Sequence, residues 1–373
     1  MPSRPHIAVI GAGAFGGWTA LHLLRRGARV TLLDAWGPGH SRSSSGGETR
    51  IIRGAYGPDR LYVEWVARSF ELWREAEATS GQRLYRRTGV LWMCGEDDIY
   101  VRDSLPYLED VGLPIAELSP GEARARFPQI DFDGVRTVYF EEEAGALFAR
   151  RACQAVVARF EAEGGEYRQA SYDAANLAAD VCVFACGPWL AGMFPDVIGE
   201  RFLRNTRQEV FFFGTPPGDP RFQADGCPIW IDLGGERIYY GIPGNEHRGF
   251  KVADDTRGEP IDPTLGERTI TPALLEAARA EVARRFPALA GAPLVESRVC
   301  QYENTPDGHL LFDRHPESAN VWLLGGGSGH GFKISPALGE YAAGVILDGR
   351  SPLEIFKLDR PGHGEATRTQ FER

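Results

Sequence analysis

The sequence predicts an α/β fold in which a Rossmann-like domain is joined by a second, α+β domain built on a mostly antiparallel sheet. Near the start, an apolar run at residues 6–10 leads into a glycine cluster and then an amphipathic helical pattern, the order strand, tight turn, helix. Near the end, residues 320–333 form a second strand–glycine loop unit, and we expect a helix from after Pro336 to about Leu347. Between these units, segments with antiparallel strand character are expected at 208–213, 229–232, 237–242 and 249–253.

The glycines of the first unit have the spacing of a dinucleotide-binding turn. Gly11 permits the tight turn, Gly13 lets the backbone approach a pyrophosphate, and Gly16 lets helix and strand pack closely. The phosphates would lie at the positive end of a helix predicted over residues 15–26.

An acidic residue follows at the distance that such a site requires. The second predicted strand, residues 28–33, ends at Asp34, whose carboxylate can accept hydrogen bonds from an adenosine ribose. A carboxylate there disfavours a 2′-phosphate and so argues against NADP, whereas this stretch alone leaves NAD and FAD open.

The composition excludes several other classes of protein. The chain has 373 residues, of which 43% are hydrophobic and 25% charged, enough for two domains with cores of their own. A net charge of −10 argues against a nucleic-acid surface, and no apolar run is long enough for a membrane span. A strand begins within about six residues, so we expect no signal peptide and a cytoplasmic protein. The six cysteines form no CxxC pair, and no metal site is predicted.

The remaining elements follow in order. The polar loop at 37–48 is expected to contact a ligand, and Arg50 and Arg53, three residues apart, would share a face of a helical turn. Helices are predicted at 59–79, 99–111, 120–127, 148–163 and 272–285, and further strands at 87–94, 136–141, 166–170, 179–187 and 295–304.

A dinucleotide fold that begins at one end of the chain and is completed at the other is hard to reconcile with a simple NAD dehydrogenase. A long ligand touched by both ends fits better, and FAD is such a ligand. We therefore predict a discontinuous FAD-binding domain (1–84, 146–206 and 310–373) and a substrate domain (85–145 and 207–309).

Specific motifs extend over nearly the whole chain, at residues 11–16, Asp34, 49–53, 87–91, 240–243, Lys251, 300–307 and 327–333. On these motifs the sequence resembles the FAD-dependent amine oxidases around monomeric sarcosine oxidase and N-methyl-tryptophan oxidase, with the fructosyl-amino-acid oxidases (amadoriases) as neighbours. The last two motifs are the most specific, and their mutual spacing matches as well.

The resemblance implies a role for each matching residue. Cys300 matches the cysteine bonded to the flavin 8-methyl carbon, and Lys251 the lysine that reaches flavin N5 through water and promotes reaction with oxygen. Arg53 and Lys333 match the pair that holds the substrate carboxylate. Catalytic candidates are thus Lys251, Arg50, Tyr302 and Asp255, and substrate-binding candidates are Arg53, Lys333 and Tyr240. Cofactor-binding candidates are Gly11, Gly13, Ala14, Phe15, Gly16, Asp34, Ser44, Thr49, Arg50, Cys300, Gly327, Gly329, His330, Gly331 and Lys333.

One position departs from the sarcosine oxidase pattern. Those oxidases carry a histidine four residues after the lysine, whereas this chain has Asp255, which is closer to the acid of amadoriases. An acid there would attract a cationic or polyhydroxyl substrate. The alternative is that Asp255 is a turn residue facing solvent.

The resemblance implies oxidation of a secondary or N-substituted amino acid to an imine, with oxygen reduced to hydrogen peroxide, in a protein that is commonly a monomer. An amadoriase-like oxidase and an FAD-dependent dehydrogenase that uses another electron acceptor remain as alternatives. Two further alternatives are an NAD-dependent dehydrogenase and a non-catalytic flavin-binding protein.

Overall fold

A computed structural model describes residues 4–173, 178–360 and 371. The strands are β1 (His6–Ile10), β2 (Arg29–Asp34), β3 (Thr49–Ile52), β4 (Tyr85–Arg87), β5 (Val90–Cys94), β6 (Ile115–Leu118), β7 (Thr137–Glu141), β8 (Gly145–Phe148), β9 (Glu166–Gln169), β10 (Val181–Phe184), β11 (Arg204–Phe213), β12 (Ile229–Asp232), β13 (Tyr239–Ile242), β14 (Phe250–Asp254), β15 (Leu294–Asn304), β16 (Leu311–His315) and β17 (Ser318–Gly325). The helices are α1 (Ala14–Arg25), α2 (Arg60–Ser80), α3 (Ile99–Arg102), α4 (Leu105–Asp110), α5 (Pro120–Arg126), α6 (Ala149–Ala162), α7 (Leu190–Met193), α8 (Gly199–Phe202), α9 (Pro272–Arg285) and α10 (Gly331–Asp348).

A six-stranded sheet in the order β16-β17-β10-β1-β2-β9 contains both predicted glycine units. All its pairs are parallel except the edge pair β16–β17. The central strand β1 is buried along residues 7–10, as expected for a parallel strand covered on both faces. Helix α1 packs closely on α10, where a Cβ added at Gly339 would lie 2.7 Å from the backbone carbon of Trp18. The two ends of the chain therefore share one core.

The second large sheet has eight strands in the order β15-β11-β14-β13-β12-β5-β7-β6. Its pairs are antiparallel apart from β12–β5, as the sequence predicted for this domain. Helix α9 covers one face, and Phe286 at its end packs against Trp230 and Phe250 in the core of this sheet.

A small sheet of β3, β8 and β4 corrects the prediction for Arg50 and Arg53. Residues 49–52 are a strand paired with β8 rather than a helical turn, because pairing with a distant segment overrides the local spacing. The two arginines therefore do not share a face. The side chain of Arg50 reaches the carbonyl of Ser44, whereas that of Arg53 reaches the carbonyl of Ala55.

Two helices differ from their predicted bounds. Helix α10 begins at Gly331, before Pro336, rather than after it. The hydroxyl of Ser335 donates to the carbonyl of Phe332 at 2.8 Å, and this is the carbonyl that the missing N–H of proline would leave without its helical partner. The predicted helix at 99–111 is two helices, α3 and α4, separated at Ser104.

Strands β6, β8 and β16 were not predicted, because each has only four or five residues. β6 and β16 are edge strands, whereas β8 is the central strand of the small sheet. Among the described residues, none of the helices is both long and apolar enough to cross a membrane.

Candidate active site

Two adjoining cavities lie where the two large sheets meet. The first, which we call the long cavity, has a volume of about 340 Å³. The second, the inner cavity, measures about 60 Å³. Arg50, Tyr302, Gly329 and Phe332 line both, so one ligand could extend from one cavity into the other.

The long cavity gathers most predicted cofactor residues. These are Gly11, Gly13, Ala14, Phe15, Asp34, Ser44, Arg50, Gly327, Gly329 and Gly331. Gly16 does not line the long cavity, because its backbone packs against Gly11. A Cβ on Gly16 would collide with the carbonyl oxygen of Gly11. The role predicted for Gly16, close packing of helix on strand, agrees with this contact.

The turn after β1 can be built only with glycine. Gly11 has φ = 105°, and a Cβ there would collide with the carbonyl oxygen of Ala185. The N-cap of α1 is Gly13, which has no side chain to occupy the first-turn amides. The amide of Ala14 donates to the hydroxyl of Ser45 at 3.1 Å. Gly13, Ala14 and Phe15 line the long cavity, so the positive end of α1 faces a site that suits an anionic ligand.

Asp34 holds this turn in place. One carboxylate oxygen accepts from the amide of Ala12 at 2.8 Å, and the other accepts from the amides of Trp36 and Gly37 at 2.9 and 2.8 Å. The carboxylate also lines the long cavity.

The glycine loop before α10 closes the opposite wall. A Cβ at Gly329 would lie 2.7 Å from the ring of Tyr302, and one at Gly331 would lie 2.5 Å from the ring of Phe15. The loop therefore fits tightly between β15 and the first turn of α1, which brings the two distant glycine motifs to one ligand site.

The inner cavity brings together the remaining predicted residues from five parts of the chain. They are Thr49, Arg50, Arg53, Tyr240, Lys251, Asp255, Tyr302, Gly329, His330 and Lys333. Strand β3 supplies Arg50, and Arg53 directly follows it. β13 and β14 supply Tyr240 and Lys251, and α10 supplies Lys333. Nε2 of His330 forms a hydrogen bond with the carbonyl oxygen of Gly308 at 2.9 Å. Burial lowers the pKa of this imidazole.

Lys251 is fully enclosed beside the junction of the two cavities. Its ammonium group donates to the carbonyl of Thr49 at 3.0 Å and lies 5.9 Å from the centre of the Tyr240 ring. Burial, followed by the positive charge of Arg50, lowers the pKa of Lys251 to about 7. Its charge can therefore change near neutral pH.

A buried pair of cations, Arg53 and Lys333, faces the inner cavity. Lys333 Nζ donates to the hydroxyl of Tyr56 at 3.0 Å and to the carbonyl of His330 at 3.1 Å. Burial, then the charge of Arg53, holds the pKa of Lys333 well below its usual range. An anionic ligand would relieve this repulsion.

The guanidinium of Arg53 is 2% exposed and lies among aromatic rings. The ring centres of Tyr56, Trp92, Tyr100 and Phe371 are 4.7, 5.0, 5.7 and 5.5 Å away. These faces stabilise the cation, and the negative charge of Glu141 also acts on it.

Asp255 is 4% exposed, so the alternative of a solvent-facing turn residue is wrong. The hydroxyl of Tyr302 donates to one of its oxygens at 2.9 Å. The acid thus lies in the same cavity as the two cations and the two tyrosines.

Cys300 lines neither cavity. It lies two residues from Tyr302 on β15, so both side chains are on the same face of the strand. A guanidinium nitrogen of Arg50 lies 3.5 Å from its sulfur. All six cysteines are free, and the described residues contain no group of three or more His, Cys, Asp or Glu able to hold a metal.

Several residues of these sites were missed from the sequence, and four of them matter most. Tyr56 holds Lys333, Phe371 packs over Arg53, and Trp189 and Glu303 line the long cavity. Glu303 lies within a recognised motif, which could have drawn attention to it. The other three carry no signal that distinguishes them from core aromatics.

A family model described as FAD dependent oxidoreductase matches residues 6–344. The chain belongs to this family. It is accordingly an FAD-dependent oxidoreductase, which confirms the predicted fold class, the resemblance and the dependence on FAD.

Monomeric sarcosine oxidase from Bacillus sp. (strain B-0618) is 30% identical to this FAD-dependent oxidoreductase over 98% of both chains. Among solved structures, L-proline dehydrogenase from P. horikoshii superposes with a TM-score of 0.81 at 22% identity, over 98% of this chain and 100% of that one. Fructosamine oxidase (Amadoriase II) from Aspergillus fumigatus gives a TM-score of 0.79 at 22% identity, over 98% and 92%. The two structures are similar in fold.

The residues of the long cavity fit FAD. The glycine-only turn and the positive end of α1 suit a pyrophosphate, and Asp34 suits a ribose. The passage into the inner cavity would let the ring end of an extended dinucleotide approach the buried cations.

Proposed function

We propose that this protein oxidises a secondary or N-substituted amino acid to an imine, with oxygen as the electron acceptor and hydrogen peroxide as the second product. The observation that carries the proposal is the inner cavity, where Arg53, Lys333, Asp255 and Lys251 lie together beside the cavity that suits FAD. FAD, when bound, supplies the two-electron chemistry by accepting a hydride from the carbon next to nitrogen and passing the electrons to oxygen.

Arg53 and Lys333 would bind the substrate carboxylate. Both are buried cations that repel one another, so an anion between them gains from both charges. Binding the carboxylate in this way fixes the orientation of the amine-bearing carbon, and such orientation is a main source of rate acceleration for this kind of reaction. Tyr56 would position Lys333 through its 3.0 Å hydrogen bond.

Lys251 would assist the reduction of oxygen. Reduction adds negative charge to oxygen, and a fixed cation in a water-poor cavity stabilises such charge strongly. The carbonyl of Thr49 holds the ammonium group in position. With a pKa of about 7, this group can also give up a proton near neutral pH.

Asp255 and Tyr302 would contact the amine side of the substrate. The hydroxyl of Tyr302 donates to Asp255, which holds the acid in the inner cavity, where its negative charge would favour a cationic amine or a polyhydroxyl group. The buried position of this acid supports the amadoriase-like alternative, oxidation of a fructosyl amino acid. Tyr240 would form the wall of the substrate site.

An aerobic assay tests the proposal. Purified protein with bound flavin is mixed separately with N-methyl amino acids, cyclic imino acids and fructosyl amino acids, and peroxide is measured. We expect peroxide from at least one class, and the class identifies the substrate. No peroxide from any class would refute the oxidase. Flavin that is reduced by a substrate yet stays reduced in air would indicate a dehydrogenase.

We further propose that FAD is attached covalently through Cys300. The position of Cys300 on the strand face of Tyr302, close to Arg50, supports this. After acid precipitation the yellow colour should stay in the pellet, and the Cys300→Ser variant should release it to the supernatant. Colour in the supernatant of the unmodified protein would refute the bond.

Several other predictions stay untested. They are the domain bounds (1–84, 146–206 and 310–373 against 85–145 and 207–309), the monomeric state and the cytoplasmic location.

A further inference from the structure

Glu303 is a buried acid whose function is not accounted for by the roles above. It lies on β15 next to Tyr302, it is one of the residues that line the long cavity, and it is 6% exposed. Its backbone carbonyl accepts from the amide of Ser328 at 2.9 Å, which fixes the strand against the second glycine loop. The backbone thus holds the carboxyl group in one place.

One oxygen of this carboxyl group lacks a partner. Among the residues that the structure describes, none forms a hydrogen bond with Oε1 of Glu303. Burial raises the pKa of Glu303 to about 7, although the nearby amides of Gly326 and Gly327 act in the opposite direction. No cation contributes to that shift. A buried polar atom without a partner is unfavourable and rare in folded proteins, so the site requires a donor from elsewhere.

The position of Glu303 along the cavity restricts what that donor can be. Gly11 and Gly13 mark the end that suits a pyrophosphate, whereas Tyr302 and Arg50 mark the end shared with the inner cavity. Glu303 follows Tyr302 on β15, and its carboxyl group meets the amides of Gly326 and Gly327. These amides begin the loop that lines the long cavity at Gly327 and both cavities at Gly329. In FAD the segment between pyrophosphate and ring is the ribityl chain, which is uncharged and carries three hydroxyl groups.

A hydroxyl suits this carboxyl group better than any other part of the cofactor. A phosphate oxygen would repel an ionised carboxylate, whereas a hydroxyl donates to it and forms a strong charge-assisted bond. A Cβ added at Gly325 would lie 2.5 Å from Oε1, so the glycine at this position is what allows the carboxyl group to be placed here.

We propose that Glu303 is a cofactor-binding residue whose carboxylate accepts a hydrogen bond from a ribityl hydroxyl of FAD. The proposal depends on the FAD dependence of the family and not on the amine proposed as substrate. It assigns a recognition role to a position inside the motif at 300–307.

Equilibrium binding tests it in the full-length Cys300→Ser protein, stripped of flavin so that the affinity can be measured. FAD is titrated and the quenching of flavin fluorescence gives Kd. We expect Glu303→Leu, which removes the acceptor, to raise Kd for FAD at least tenfold, and Glu303→Gln, which keeps a neutral acceptor, to have a smaller effect. ADP contains the pyrophosphate and adenosine but no ribityl chain, so its Kd should stay unchanged in both variants. Glu317→Gln, at an exposed position on the β16–β17 turn, serves as the matched control.

Thermal unfolding of the same stripped proteins gives a second, independent readout. Glu303→Leu should unfold at a higher temperature than its parent, because the variant no longer buries an acid without a partner. An ordinary structural residue would show the opposite shift. Unchanged FAD affinity, or FAD and ADP affinities that fall together, would overturn the proposal.

Discussion

Replacement of Arg53 offers the sharpest view of how the inner cavity would bind its substrate. In Arg53→Met, the methionine stem can pack among Tyr56, Trp92 and Tyr100, so we expect the fold to survive. The nearby acid Glu141 does not lose its partners, since it accepts from the amide of Gly54 at 2.5 Å and from the indole of Trp92 at 2.8 Å.

The magnitude follows from the bonds that the guanidinium would make. Two charge-assisted hydrogen bonds to a carboxylate contribute about 2 kcal/mol each. Arg53→Lys keeps the charge and loses one bond, which corresponds to roughly a 30-fold fall in kcat/KM. Arg53→Met loses both bonds and should cost about 4 kcal/mol, roughly a 1000-fold fall.

The assay compares the preferred amino acid with the matched amine that lacks its carboxylate. The Arg53 variants should lose activity on the amino acid, whereas the weak activity on the amine should change little. Arg136→Met is a suitable control, because the side chain of Arg136, directly before β7, is 71% exposed. This substitution should change kcat/KM less than twofold. Equal losses on the amino acid and the amine, with flavin content unchanged, would show that Arg53 does not bind the carboxylate.

Three further predictions concern other side chains. Lys251→Met should slow reoxidation of the reduced flavin by oxygen about 100-fold in stopped-flow traces. In the unmodified protein this reoxidation should become slower as the pH rises through about 7, where Lys251 loses its charge, and the variant should not show this pH dependence. Asp255→Asn should raise KM about tenfold for substrates that arrive as cations, while a neutral amine of the same shape should be unaffected. Hydrogen bonds from Arg25 lower the pKa of Glu163 from 4.5 to about 2, so its contribution to folding is present above pH 4.5 and lost as the pH falls towards 2. Because Glu163 is 21% exposed, we expect Glu163→Gln to cost about 2 kcal/mol in urea unfolding at pH 7 and progressively less in acid; a constant difference would contradict this.

Local sequence patterns predicted the elements in which a fixed glycine spacing or a continuous apolar run reflects the packing of the backbone and side chains. The N-terminal glycine turn was predictable because Gly11 alone satisfies both the positive φ and the contact with Ala185, and sequence spacing carries that requirement directly. The same holds for the buried strands β1 and β10, whose apolar runs reflect cover on both faces.

Arg50 and Arg53 show where local patterns fail. Their spacing is compatible with a helix, and only the pairing of β3 with β8, almost 100 residues away in the chain, makes this segment a strand. Tyr56 and Phe371 were missed for a related reason. An aromatic residue that positions a cation looks, in sequence, the same as one that fills a core.

The strand order of the parallel sheet has a consequence for the timing of assembly during synthesis. β1 is made before β17 and α10, which complete its sheet and cover α1 and which follow it by about 300 residues of chain. The walls of the long cavity cannot meet until the ribosome has released α10, so capture of the cofactor must follow the synthesis of this helix. Chains that terminate before α10 should therefore be colourless, and an N-terminal fragment should not retain flavin even though it contains the whole dinucleotide-binding turn.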